Sequence, residues 1–535
     1  MAVVQVTFRH HRVAWKTQRI FHPKQEAFSH QLRRLAQQDA REWSSTEDIL
    51  IDWGDPACHL DPEILAKDCR NNAACAFFGR SWIHYHRPSH QITMAIDCLG
   101  LFPILLSQQG QNSYLASDAL ALSQLLDASA IVDTSALLEL LAYGQLLGSQ
   151  TTLSDALHLQ AGTVYGIDAD GRLTIKAEAA PVQFSPYKSN ALSALQKLQD
   201  AVYQRLENCS TCAVSFDGTL EDYLLLALVK SVGGQPTILG FGPAYNPHLN
   251  QVHALAGLTN GKFYLNTLDT SQLVSARKAF AQLGGGEFQL TYNHLLIYPE
   301  LITHTRGMTL LSHNSANILS GLPNRPPKTA TQDPLKTLFN KTLQPFITAF
   351  PELSAALCTR LDMRLEPYRH GNATSTTQLN QVYLGECFRR AEVAREQLLS
   401  RDYARSYPFL DEPVLKALSG LPYELKQNSQ FCHWAIRQLD PDIANLAAKA
   451  TAATFAQGVY LKEPSEYTCW LNTFHHETQP LHLALQSCDL SESSIRQGLE
   501  YLLQGETRQH IFSTLGAYSG WLRYLAAQRA ARIEA

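Results

Sequence analysis

The chain has 535 residues, too many for one ordinary domain, and 45% hydrophobic against 17% charged residues suit a globular protein with a large core. A formal net charge of −4 gives no electrostatic footprint for a nucleic-acid binder. There is no apolar run of the roughly 18 residues a membrane span needs and no signal-peptide core at the start, so a cytoplasmic protein without a membrane span is expected. The 11 cysteines are odd in number and scattered, which argues against a disulfide framework. Cys209 and Cys212 form a lone CxxC that more simply flanks a buried strand than binds zinc.

In chain order, the basic residues between Phe8 and Lys24 alternate with Val, Trp and Ile, as on a solvated strand face. Ala73–Gly79, Ser81–His86 and Gln91–Asp97 read as successive strands separated by turn residues. Ala136–Leu147 has helical apolar spacing, with Gly148 as its stop. Thr163–Asp168 and Leu173–Lys176 read as a hairpin across Asp-Ala-Asp-Gly. A stretch rich in Pro and Ser marks a boundary near residues 178–192.

Beyond it the pattern changes. Ala213–Phe216, Pro236–Gly242 and Lys262–Leu268 read as strands, with helices at Glu221–Val232 and Val252–Leu258 between them. Strands alternating with helices imply a parallel sheet. From about Asp333 the chain is mostly helical.

Several ordered motifs then resemble one family. Ile96–Leu106 keeps Asp97, Gly100 and Pro103 of an Asp-x-x-Gly-x-x-Pro element, followed by Ser117 and Asp118 after a strand. Tyr143, Gly144 and Gly148, then Leu159 and Gly162, continue the order, and Arg405–Lys426 carries an Arg-x-Pro-Phe-Leu-Asp-like element and Leu-Pro-x-x-x-Lys. Together these look like class B asparagine synthetases over residues 73–460, with a C-terminal layout most similar to lasso-peptide cyclases.

The resemblance implies a fold of α/β plus α+β class. Residues 1–180 would form an Ntn-hydrolase-like αββα sandwich, and residues 181–535 a PP-loop ATPase-like parallel sheet surrounded by helices. Glutamine hydrolysis in that family uses an N-terminal cysteine. This chain begins Met1-Ala2-Val3 and its first cysteine is Cys58, so no glutaminase activity is expected.

The family's phosphate loop, Ser-Gly-Gly-x-Asp-Ser, lets backbone N–H groups meet phosphates at a helix N-terminus. Following Ser215, the equivalent positions read Asp217, Gly218, Thr219, Leu220, Glu221 and Asp222. Glu221 and Asp222 either cap the helix, or Glu221 replaces the Mg²⁺-binding Asp. In the second loop, His313, Asn314 and Ser315 precede Ala316, which stands where the family has a metal-binding Asp. Gly284–His294 is the candidate substrate-facing segment; its three glycines imply a mobile or a tight turn, and Glu287 is its only acid. Lys449 lies where the family has a lysine that stabilises acyl transfer, and a surface lysine is the alternative.

Two readings remain. One is a degenerate synthetase with no cofactor, acting through a peptide or protein partner and capable of homodimerising. The other is an amide-forming cyclase that uses ATP and Mg²⁺ through a site rebuilt on Glu221.

Overall fold

The computed structural model describes residues 2–9, 12–19, 40–58, 60–89, 91–109, 112–126, 132–168, 171–178, 189–207, 212–242, 246–267, 281, 284–287, 305, 307–313, 333–369, 375–393, 404–426, 429–457, 472–473, 477–504 and 508–533. It is a mixed α/β protein with antiparallel and parallel sheets and many helices.

The first strands are β1 (Ala2–Arg9), β2 (Arg12–Arg19), β3 (Ala40–Ser44), β4 (Asp48–Gly54), β5 (Arg80–His86), β6 (Gln91–Ala95), β7 (Leu105–Gln109), β8 (Asn112–Ala116), β9 (Ala156–His158), β10 (Thr163–Ile167) and β11 (Leu173–Glu178). They form two sheets, ordered β1-β2-β8-β7-β9 and β11-β10-β6-β5-β4-β3, antiparallel throughout. Side chains alternate between faces along a strand, so each sheet buries two sets of residues. Ile49, Ile51, Ile83 and Met94 of one sheet meet Leu106 and Leu115 of the other. On the outer faces, Leu50 and Trp82 pack with Leu65 and Cys69 of helix Pro62–Arg70, while Leu105 and Tyr114 pack with helix Ala119–Leu126 and Trp521. The layers run helix, sheet, sheet, helix.

Two local expectations change. Most of Ala73–Gly79 is irregular: Phe77 makes only an isolated bridge to Arg80, and Gly79, at φ +71°, turns the chain into β5. The helix expected over Ala136–Leu147 spans Thr134–Tyr143, capped by Asp133 and ended at Gly144, whose φ of 81° is left-handed. That helix is covered by later ones: Leu137 and Leu141 share a core with Phe346, Leu361 and Leu515. The proposed boundary near 178–192 falls largely on residues 179–188, outside the described residues.

The remaining strands are β12 (Cys212–Phe216), β13 (Thr237–Gly242), β14 (Lys262–Thr267), β15 (Thr309–Leu311) and β16 (Ala404–Ser406). They form a wholly parallel sheet ordered β14-β13-β12-β15-β16. Helices Ala191–Glu207, Leu220–Ser231, Val252–Leu258, Gln430–Leu439 and Pro441–Gln457 share one apolar core with β12 and β13. Successive strands step outward from β12 to β14, then the order reverses and β15 lies on the other side of β12. In open α/β sheets, ligands bind outside the carboxyl ends of the strands at such a reversal. Among the described residues, no helix is long and apolar enough to cross a membrane.

Candidate functional site

The reversal places the turn after β12 beside the end of β15, so residues 217–222 and His313 meet although nearly a hundred positions separate them. Phe216 ends the strand, and Gly218 at φ +100° makes the turn that an L side chain would strain. Thr219 caps helix Leu220–Ser231: its hydroxyl accepts the Asp222 N–H, and the Asp222 carboxylate reaches back to the Thr219 N–H.

Asp222 does more than close a capping box. Its Oδ2 accepts the backbone N–H groups of Asp217 at 3.0 Å, Gly218 at 2.9 Å and Thr219 at 3.0 Å. Its Oδ1 lies 2.9 Å from His313 Nδ1, and the Asp222 side chain is wholly buried. These are the amides a phosphate would use at a helix N-terminus. A carboxylate from the chain itself already holds them.

The charges settle around that carboxylate. Burial works against ionising Asp222, but the His313 charge holds its carboxyl below the ordinary carboxylate range. Burial opposes the His313 charge too; Asp222, Asp217 and Glu221 outweigh it and push the imidazole up to about 10. Burial and the neighbouring Asp222 raise Asp217 to about 8, so at neutral pH it is protonated and hydrogen-bonds Asp222. The set at pH 7 is therefore one carboxylate, one imidazolium and one neutral acid.

A second row supports the turn. Asn246 Nδ2 donates to the Asp217 carbonyl at 2.9 Å, and Asn246 Oδ1 accepts the His248 N–H at 3.0 Å. His248 Nδ1 lies 3.0 Å from the Tyr223 hydroxyl, and burial lowers His248 to about 4, leaving it neutral. Sequence reading missed Asn246, His248 and Tyr223. The signal was there: Asn246 and His248 follow the carboxyl end of a strand next to β12.

The other expected site residues are dispersed. Ser215, on β12 below the turn, pairs with Leu239 of β13. Glu221 is half-buried in the first helical turn, its carboxyl raised by burial, and the amides are filled by Asp222 instead. Among the described residues, no three His, Cys, Asp or Glu side chains converge to hold a metal ion. Asn314, Ser315 and Ala316 lie outside the described residues, as does Cys209. Lys449 is exposed on helix Pro441–Gln457, on which Ile443, Ala447 and Ala450 are buried.

Glu287 belongs to a separate buried set. Gly285 and Gly286 turn with positive φ, packed against Ala119 and Trp521, and deliver Glu287 inward. Its Oε2 lies 3.0 Å from His158 Nε2 and 3.9 Å from Arg390 Nη1. Arg390 also donates to the carbonyls of Leu146 and Gln150. Burial lowers His158 to about 4, and Arg390 adds to that effect.

No family model and no curated protein matches the chain. Among solved structures, it is similar to the glutamine phosphoribosylpyrophosphate amidotransferase of B. subtilis in complex with ADP and GMP, at 13% identity and a TM-score of 0.17. That match covers 43% of this chain and spans half of the amidotransferase chain.

Proposed function

We propose that this chain is a degenerate asparagine-synthetase-type protein, closest in layout to lasso-peptide cyclases, which binds a peptide or protein partner and does not turn over ATP. In this reading the antiparallel layers are the glutaminase-like half and the parallel sheet is the PP-loop half. The observation that carries it is the Asp222 carboxylate on the amides of Asp217, Gly218 and Thr219. A triphosphate entering that turn has to displace a buried carboxylate from three hydrogen bonds and from its ion pair with His313. Breaking a buried pair costs about 3–5 kcal/mol, comparable with the binding energy of a millimolar ligand.

The motif order along residues 73–460 supports the family assignment, and a peptide partner follows from the lasso-cyclase layout. ATP–pyrophosphate exchange tests the reading, run with Mg²⁺ and short acidic peptides. The expected result is no exchange above a no-protein control. Exchange that depends on peptide would instead support the amide-forming alternative.

A further inference from the structure

We propose that Asp55, in the antiparallel half, is a positioning residue for the filled turn: it fixes β16, and β16 fixes the end of β15 that carries His313. The inference rests on the Asp222–His313 ion pair and not on whether ATP is turned over.

Asp55 follows β4 and is buried, yet four groups satisfy it. Arg205 Nη2 donates at 2.8 Å, the Tyr407 N–H at 3.0 Å and the Ala57 N–H at 2.9 Å, and Ser406 Oγ lies 2.8 and 2.9 Å from its two oxygens. Arg205, on helix Ala191–Glu207, also forks onto Asp411 at 2.7 and 2.6 Å and donates its Nε–H to Ser406 Oγ at 2.6 Å. Residues 55, 205, 406 and 411 thus close one buried joint between distant parts of the chain. Burial opposes the Arg205 charge, and Asp55 and Asp411 outweigh it.

Ser406 is where the joint touches the site. It is the last residue of β16, and its carbonyl accepts the Ser312 N–H at 2.9 Å. His313 is the next residue along. Both β15 and β16 are only three residues long, so their ladder supplies few bonds. The placement of such short strands then depends on side-chain anchors, and the Asp55 joint is the polar anchor beside the packing of Arg405 and Tyr407 on Phe102. Asp222, Asp217 and Glu221 are the acids that raise the His313 imidazole. Asp55 reaches His313 through Ser406 and the Ser312 amide.

The experiment is a ¹⁵N NMR pH titration of ring-labelled histidines in the full chain, with signals assigned by His313→Gln and His158→Gln. In Asp55→Asn the His313 midpoint is expected to fall by about one pH unit, as its contact with Asp222 lengthens. His158, outside the relay, is expected to stay where it is. General loosening would move both, and that result would overturn the proposal, as would an unmoved His313. Should Asp55→Asn fail to fold, Ser406→Ala makes the same comparison with one oxygen removed and no charge disturbed. A failure of the functional reading would show as peptide-dependent exchange, which this titration does not measure.

Discussion

Two acid–histidine pairs, His313–Asp222 and His158–Glu287, have opposite ionisation. His313 sits 2.9 Å from Asp222 and is pushed up to about 10; His158 sits 3.0 Å from Glu287 and is pushed down to about 4. Burial opposes both imidazolium charges and each histidine lies beside a buried carboxylate, so neither burial nor the partner alone decides the outcome. The neighbours do. His313 faces Asp217 and Glu221 as well as Asp222, whereas His158 shares its carboxylate with Arg390 and feels Arg389. Around His313 the acids Asp222, Asp217 and Glu221 favour the imidazolium; around His158, arginines already face the carboxylate. The first pair occupies the amides of a helix N-terminus, and the second ties a glycine turn to the antiparallel sheet.

The largest expected effect comes from removing the first pair's acid. Asp222→Ala removes the carboxylate shared by three amides and the half-buried His313 and should cost about 3–5 kcal/mol in urea denaturation. Inorganic phosphate should restore part of that loss in the variant and leave the unmodified protein unchanged. A variant indifferent to phosphate would show that the amides do not form an anion site.

Glu287→Gln sharpens the contrast. It keeps the shape but removes the charge that Arg390 faces, and about 1.5–3 kcal/mol should be lost. Phosphate should not rescue it, because among the described residues Glu287 faces the side chains of His158 and Arg390, not the amides of a helix N-terminus. Rescue equal to that of Asp222→Ala would erase the distinction between the two sets.

The pH dependence of stability separates the histidines by sign. His313 has a folded value of about 10 against an ordinary 6.5, so its contribution is complete below 6.5 and is lost as pH rises through 10. Asp217, raised from 3.8 to about 8, acts in the same sense. His158, lowered from 6.5 to about 4, contributes above 6.5 and loses that contribution as pH falls through 4. His313→Gln should flatten the alkaline limb of a stability profile, and His158→Gln the acid limb. Equal flattening of both limbs by either variant would contradict the assignment. The smallest effect is at the cap: Thr219→Ala should cost about 1 kcal/mol, read from the shift in denaturation midpoint.

Much of the parallel sheet was legible in the sequence, because short apolar strands alternate with helices over Ala213–Leu268 and the observed bounds fall within a residue or so. The turn after β12 was legible for the same reason. Which acid fills it was harder. The Thr219-x-x-Asp222 spacing is a capping-box signature, so Asp222 at that position was readable, but its reach to two further amides depends on the backbone turn at Gly218. The Glu287–His158 contact spans 129 positions and has no local signal. Glycines 284–286 read equally as a mobile or a tight turn; the structure shows a buried tight one, with a Cβ on Gly285 lying 2.5 Å from that of Ala119. The helix after Asp133 stopped four residues early because Gly144, and not Gly148, takes the left-handed cap.

The central claim is that the chain's own carboxylate holds the amides a nucleotide would need. Isothermal titration with Mg·ATP tests it most directly, comparing the unmodified protein with a variant in which Asp217, Thr219, Glu221 and Asp222 become Ser, Gly, Asp and Ser. No binding tighter than about 100 μM, or roughly −5.5 kcal/mol, is expected in the unmodified protein, with a gain in affinity in the variant. Binding of the unmodified protein below about 100 μM would contradict it.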